Sequence, residues 1–289
     1  MKLTTLPIVR TAATTMLLLM GMGGAARAVS LTFNDFTDSS SLTLNNDAKI
    51  VNKDNKSVLR LTESLPYQGG SAFFTNPISL DTEVSFSSAF DFQISNSMGI
   101  SDIDGVGADG IAFLLHTVDN KVGNVGGGIG YQGLDNSLAI EFDTYYNWRV
   151  EPGDGGNHVG INLNGDINSV VSQHVDTRMN NGGIWSAWVD YDGSSDLLEV
   201  RLSQTSDRPD NPLLSYNVDL TSVFGSTDVF VGFSSATGAG YGEHDILAWQ
   251  FNDSYDPIDD IKTVPEPNSV LALLAVGTLG ACAQSRKSQ

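Results

Sequence analysis

The chain has 289 residues, 34 acidic against 15 basic side chains, a formal charge of −19 and 40% hydrophobic residues. A surface this acidic repels nucleic acid and anionic membranes, and it suits a soluble secreted protein that binds divalent cations. The single cysteine, Cys282, excludes a disulfide framework, so the fold must rest on a large hydrophobic core.

Residues 1–28 carry Lys2 and Arg10, an apolar run from Met16 to Met22, and the small-x-small sequence Ala26-Arg27-Ala28. This order predicts a secretory signal peptide cut before Val29, with an apolar core too short to span a bilayer comfortably. All acidic residues except Glu266 lie between residues 29 and 263, whereas Lys2, Arg10, Arg27, Arg286 and Lys287 fall in the two ends. The body is therefore more acidic than the whole chain.

No amphipathic helix of convincing length appears in the body. Short alternating or apolar runs, separated by Gly, Asn, Asp and Ser clusters, predict an antiparallel all-β sandwich or barrel. The predicted strands begin with Leu31–Phe33, Val58–Leu61, Ala72–Phe74, Glu83–Gln93 and Gly110–Leu115. They continue with Ser137–Thr144, His158–Leu163, Ile184–Tyr191, Leu197–Leu202, Val229–Ser234 and Ile246–Phe251. The run from Gly182 to Ser203 reads as a hairpin turning at Asp192-Gly193. So many strands without a repeated unit argue for one double-sheet domain over residues 29–253.

The stretch from Leu138 to Asn164 carries the densest chemistry. Leu138, Ile140 and Phe142 alternate with Ala139, Glu141 and Asp143, so the two carboxylates share one face of a strand. Carboxylates that close repel each other unless a cation or a shared proton lies between them. A polar loop with Asn147, Glu151 and Asp154 follows, and His158 opens a second alternating run through Val159, Ile161 and Leu163. Carboxylates, a carboxamide and an imidazole converging at the top of two strands predict a metal site. His116, His174 and His244 have no partners at recognisable spacing and are expected to be surface or core fillers. Neither a Gly-x-Ser-x-Gly elbow nor a phosphate-binding Gly-x-x-x-x-Gly-Lys occurs.

An acidic segment, residues 254–263 with Asp256, Asp259 and Asp260, reads as a linker to Val264-Pro265-Glu266-Pro267. A 14-residue apolar run from Val270 to Ala283 and then Arg286 and Lys287 complete residues 264–289. This order resembles the PEP-CTERM sorting tail of Gram-negative bacteria and cyanobacteria. The resemblance implies cleavage by an exosortase-type enzyme and a final place in the cell envelope or extracellular matrix.

Across nearly all of residues 30–252 the body resembles the L-type (legume) lectin family, a concanavalin A-like jelly-roll sandwich. The first strands correspond to Asp47-Ala48, Leu59-Arg60-Leu61-Thr62, Gly70-Ser71-Ala72-Phe73 and Pro77-Ile78. Phe86, Phe90 and Phe92 are similar to the family's FsTsFsF strand, and Ala108-Asp109-Gly110-Ile111-Ala112-Phe113 to its ADG motif. Gly126-Gly127-Gly128-Ile129-Gly130-Tyr131 resembles the glycine-rich loop, and Glu141-Phe142-Asp143-Thr144 with Asn147 and His158 the metal segment. Val231-Gly232-Phe233-Ser234, Ala236-Thr237-Gly238 and Trp249-Gln250-Phe251 resemble the closing strands. Together these motifs, in order, are specific.

The resemblance implies a non-catalytic, calcium-dependent carbohydrate-binding protein. Glu141, Asp143 and His158 would hold a transition metal, usually manganese. Asp143 would bridge to calcium, held also by the Asn147 amide oxygen and the Tyr145 carbonyl. Hard oxygen ligands suit calcium, and an imidazole-containing set suits a first-row metal. The family's second bridging carboxylate is an aspartate before proline; Glu151-Pro152 stands there, one methylene longer, and Asp154 is the rival. A calcium-only site therefore stays open.

For the ligand, the resemblance implies a cis peptide at Ala108–Asp109, with Asp109 accepting hydrogen bonds from two sugar hydroxyls. Asn147 and a backbone N–H of Gly127, or of Gly128 if the loop is shifted by one, would donate. Tyr145 would stack on the sugar with Trp148 adding to it, and Gly238, Ala239 and Gly240 would form the loop that narrows specificity. Glycans or exopolysaccharide are the expected partners, and pairing through sheet edges or faces would give a homo-oligomer. Two alternatives remain at the level of sequence. A retaining glycanase would need Glu-x-Asp-x-x-Glu on one strand, with carboxyls about 5 Å apart, but Tyr146 stands at the last position. The other is a matrix or adhesion protein with a degenerate sugar site.

Overall fold

The computed structural model describes residues 29–80, 84–120, 123, 125–147 and 155–261, whose alternating runs form two stacked antiparallel sheets. In chain order the strands are β1 (Ser30–Phe33), β2 (Leu42–Asn46), β3 (Lys49–Lys53), β4 (Lys56–Thr62), β5 (Gly69–Phe74), β6 (Ile78–Ser79), β7 (Phe86–Gly99) and β8 (Gly110–His116). They continue as β9 (Ser137–Asp143), β10 (His158–Leu163), β11 (Val171–His174), β12 (Ile184–Asp192), β13 (Leu197–Ser203), β14 (Leu214–Asn217), β15 (Asp228–Ala236) and β16 (Gly240–Asn252). A short helix, α1 (Leu220–Phe224), precedes β15. The back sheet runs β14-β13-β12-β7-β16-β4-β3, with β1 also on β16. The front sheet runs β11-β10-β9-β8-β15-β5-β2, with β6 also on β15. The all-β sandwich expected from the sequence is thus present.

Strand periodicity decides which side chains meet between the sheets. From the back sheet come Phe86, Phe90 and Phe92 of β7 and Trp185, Val189 and Tyr191 of β12. The front sheet supplies Ile111, Phe113 and Leu115 of β8, Leu138, Ile140 and Phe142 of β9, and Val231 and Phe233 of β15. Phe90 is the hub, with ring centroids 5.6, 5.8 and 5.0 Å from Phe113, Phe142 and Phe233. Each such side chain contributes about 1.5–3 kcal/mol by leaving water. Phe142 also packs 4.9 Å from Phe92. Its fixed position orients β9, so Glu141 and Asp143 on either side of it must project from the outer face of the front sheet.

That outer face is partly roofed. Ile129 and Tyr131 of the glycine-rich segment lie on Phe73, Ala112, Leu114 and Ala139, and the Ser234 hydroxyl donates to the Ile129 carbonyl at 2.7 Å. The back sheet's outer face has its own cover. Ile258 and Ile261 pack on Ala89, Trp188 and Ala248, Gln250 Nε2 donates to the Asp260 carbonyl, and the Asp256 N–H donates to Ser87 Oγ. The described part of the acidic segment after residue 253 is therefore strapped to the sandwich.

Several details differ from the sequence reading. The 182–203 hairpin forms, but Asp192 pairs with Leu197 and the turn takes the four residues between them. Asp192 organises it, accepting from the Ser194 N–H and hydroxyl and the Ser195 hydroxyl; the left-handed residue is Asp196, φ 54°. Gly193 is needed because a Cβ would come 2.1 Å from the Val84 carbonyl. Strands β2, β3, β11 and β14 were not expected. Helix α1 escapes the pattern because it is five residues long and defined by its ends, an Asp219 cap on the Ser222 N–H and Gly225 at φ 61°. His116 and His244 are wholly buried, and His174 is exposed.

Candidate functional site

Register places the chemistry. On the outer face of the front sheet Gly110 pairs with Asp143, Asp143 with His158, and Glu141 with both Ala112 and Gly160. Glu141, Asp143 and His158 are completely buried, and each offers a ligand atom within 4.8 Å of the others. His158 Nε2 lies 3.1 Å from Glu141 Oε1. Ser169 Oγ donates to that same oxygen at 2.8 Å, and the Tyr131 hydroxyl donates to Oε2. Gly160 permits this crowding: a Cβ there would stand 2.5 Å from Glu141 Oε1 and 2.3 Å from Ser169 Oγ. Asp143 Oδ1 accepts from the Tyr145 N–H at 2.6 Å.

The donor set fits a divalent cation. Burying two carboxylates side by side is costly without compensating positive charge. His158 Nδ1 is buried without a hydrogen-bond partner, and Tyr131 and Ser169 orient Glu141 as outer partners orient metal ligands. Oxygen with imidazole matches a first-row metal. Of the further metal ligands expected, Tyr145 and Asn147 follow Asp143 just past the end of β9, whereas Glu151 and Asp154 lie outside the described residues, as does Trp148, expected against the sugar.

A second centre adjoins it. The Ala108–Asp109 peptide is cis. The Thr144 N–H and hydroxyl both donate to the Asp109 carbonyl, at 2.8 and 2.9 Å, while the Asp109 N–H donates to the Ala236 carbonyl. These bonds tie Asp109 to the end of β9. Its side chain is 4% exposed and Oδ2 has no well-formed hydrogen bond within the protein. Burial pushes the carboxyl up to about 7, against the opposing pull of the Asn147 amide and the Gly238 N–H. A Cβ on Gly238 would lie 3.4 Å from Asp109 Oδ2, and one on Gly127 would lie 2.6 Å from Asn147 Nδ2. Asp109, Asn147, Gly127 and Gly238 therefore surround one small cradle.

The remaining expected residues sit around it. Tyr145 is half-buried, with its phenol raised by burial and then by the charges of Asp102 and Asp109. Gly128 lies against the Gln132 side chain. Ala239 is exposed at the loop tip and accepts from the Ile100 N–H at 3.2 Å; the Gly240 carbonyl accepts from the Gly238 N–H at 3.0 Å.

Three participants were not singled out from sequence. Tyr131 and Ser169 brace Glu141, and Asp102 accepts from the Tyr146 N–H at 2.7 Å. A Cβ on Gly156 would come 2.3 Å from Asp102 Oδ2, so Asp102 touches both ends of the loop between β9 and β10. Tyr131 closes the glycine-rich run, the one local signal available.

The sequence profile of the legume lectin domain matches residues 28–268. This chain belongs to the legume lectin domain family. Within that family it is 33% identical to the 2-acetamido-2-deoxy-D-galactose-binding seed lectin 2 of Cytisus scoparius, over 77% of this chain and 95% of that one. Among solved structures, lectin II from Ulex europaeus superposes with a TM-score of 0.66 at 27% identity, covering 78% of this chain and 98% of that one. The lectin from Bauhinia forficata in complex with GalNAc gives 0.64 at 28%, covering 80% and 100%. L-type lectin-domain containing receptor kinase VIII.2 of Arabidopsis thaliana is 30% identical over 75% of this chain, which spans only 31% of that kinase's length. The legume lectin domain is non-catalytic, and its kinase relatives are kinases through other domains. The PEP-CTERM protein-sorting motif matches residues 263–287, which marks a secreted or cell-surface bacterial protein.

Proposed function

We propose that the protein is a calcium-dependent lectin of the bacterial envelope or extracellular matrix, binding glycan or exopolysaccharide hydroxyls in the cradle around Asp109. The observation that carries this reading is the buried Asp109 carboxyl, whose Oδ2 lacks a good internal donor and lies beneath a glycine. A buried acceptor of that kind gains most from a ligand that brings its own O–H donors. Asp109 accepts two adjacent sugar hydroxyls, Asn147 and the Gly127 N–H donate to them, and the Tyr145 ring covers the apolar face of the sugar. Gly238, Ala239 and Gly240 border the cradle and set which sugars enter.

Calcium would be held by Asp143, the Asn147 amide oxygen, the Tyr145 carbonyl and Glu151 or Asp154. Manganese or another transition metal would be held by Glu141, Asp143 and His158. The ions would supply fixed positive charge that orders the loop carrying Tyr145 and Asn147. Removal of residues 1–28 and exosortase processing at the PEP-CTERM motif would deliver the domain outside the cell. A glycan array read with calcium and with chelator tests the proposal, with galactose and GalNAc-type glycans as the first ligands. Binding lost on chelation and restored by calcium is expected. An array on which no signal is lost on chelation, or a release of reducing ends that disappears in Glu141→Gln, would overturn it.

A further inference from the structure

The outer face of the back sheet divides into two halves. On β7 and β12 the residues that miss the core point outward: Ala89 and Trp188 towards one end, Asp91 and Ser186 towards the other. The Trp188 half is roofed by Ile258 and Ile261. The Asp91 half carries an open groove of about 380 Å³, within the range of small-ligand sites.

Its floor and walls have a particular chemistry. Asp91 is 7% exposed, yet it lines the groove and accepts from the Ser186 hydroxyl at 2.6 Å. Burial raises its carboxyl above the usual range, and the Ser186 hydroxyl and the Lys56 charge offset only part of that. Beside it stand Ile184, an apolar side chain 51% exposed, and Leu247. The amide of Gln204 and the hydroxyl of Thr205 also line the groove. The charged lining balances, Asp54 and Asp91 against Lys53 and Lys56, and Lys53 is already paired with Asp245 at 2.7 Å. A neutral ligand fits better than an acidic or a basic one. A buried acceptor, amides, hydroxyls and an adjoining aliphatic patch are what a pyranose demands, with O–H donors on its edge and C–H groups on its face.

We propose that this groove is a second saccharide site, independent of metal and selective for neutral sugars. It faces away from Glu141, Asp143 and His158, which lie on the outer face of the other sheet. If the Asp109 cradle binds as proposed above, one monomer holds two chains on opposite faces and cross-links polysaccharide without oligomerising.

The test uses the chain from Val29 onward on an array of neutral oligosaccharides, in calcium and in excess EDTA. A subset of signals is expected to survive EDTA, to fall about tenfold or more in Asp91→Asn and in Ile184→Ser, and to be untouched in Asp109→Asn. Matching thermal melts for the near-isosteric Asp91→Asn establish that folding is intact. Absence of any EDTA-resistant signal, or a resistant signal indifferent to both groove variants, overturns the proposal. So does a wild-type dimer in sedimentation velocity that Ile184→Asp converts to monomer, because the groove is then an interface between copies. Failure of the calcium-dependent cradle would instead appear as loss of the calcium arm alone, with the EDTA arm intact.

Discussion

Gly127 stands so close to Asn147 that a Cβ on the glycine would lie 2.6 Å from Nδ2 and 3.0 Å from Oδ1. Any side chain at 127 must push the carboxamide away from Asp109, although Gly127 itself has an ordinary negative φ and no backbone need to be glycine. Gly127→Ala is therefore expected to weaken glycan binding by about tenfold or more, the worth of one or two lost hydrogen bonds, with little change in melting temperature. Calorimetry against the best array ligand checks this. Unaltered affinity would remove Asn147 from the sugar contacts.

Tyr131 links the glycine-rich loop to the metal strand through its hydroxyl on Glu141 Oε2. In Tyr131→Phe the buried carboxylate keeps Ser169 and loses this donor, so the fold should lose about 1–3 kcal/mol in urea denaturation. Metal affinity, measured by competition with a chromophoric chelator, should fall roughly 10–100-fold, as it does when partners behind metal ligands are removed. A variant with wild-type metal affinity would show that Tyr131 serves packing alone.

The parts of this architecture readable from sequence were those written in short-range pattern. Phe86, Phe90 and Phe92 announce an inward face two residues at a time, and Glu141 with Asp143 announces the outward one. His158 could be joined to them because a strand start directly after the loop brings it back alongside. Strands β2 and β3, LTLNN and KIVNK, are only five residues long and carry two apolar residues each, so they show too little of such a pattern to stand out. The cradle was harder still. Asp109, Gly127, Asn147 and Gly238 lie on four separate segments that only sheet order brings together, and the resemblance to lectins, not spacing, supplied that link. Ser169 and Asp102 had neither pattern nor motif to mark them.

His116 is wholly buried between Phe73 and Phe230, with both ring nitrogens lacking hydrogen-bond partners. Burial lowers its pKa to about 4, with the Asp119 charge opposing, and burial lowers His244 to about 4 despite Asp245. Each depressed folded pKa means that the unfolded chain takes up a proton first as pH falls through about 6.5. The associated stability is intact above that pH, is lost progressively down to about 4 and is flat below. His116→Phe should remove one of these losses, about 3 kcal/mol at pH 4 relative to pH 7, because phenylalanine suits an aromatic pocket. Urea midpoints of wild type and variant across that window give the answer; parallel curves would mean that His116 is protonated in the folded state.

The strap from Tyr255 to Ile261 packs on the back sheet beyond residue 253. It covers Trp188, Ala89 and Ala248 and adds hydrogen bonds from Asn252 Nδ2 to the Asp256 carbonyl and from Gln250 Nε2 to the Asp260 carbonyl. A chain spanning residues 29–253 uncovers Trp188, and re-exposing it with the lost isoleucine packing should cost roughly 2–4 kcal/mol relative to a chain ending at 261. Urea unfolding of the two chains measures the difference. Equal stability would return residues 254–261 to the status of a linker. The strap also holds the way into the sorting tail against the back sheet, while the Asp109 cradle belongs to the front. Glycan binding by the full-length protein and by a chain ending at residue 261 should therefore agree within about twofold.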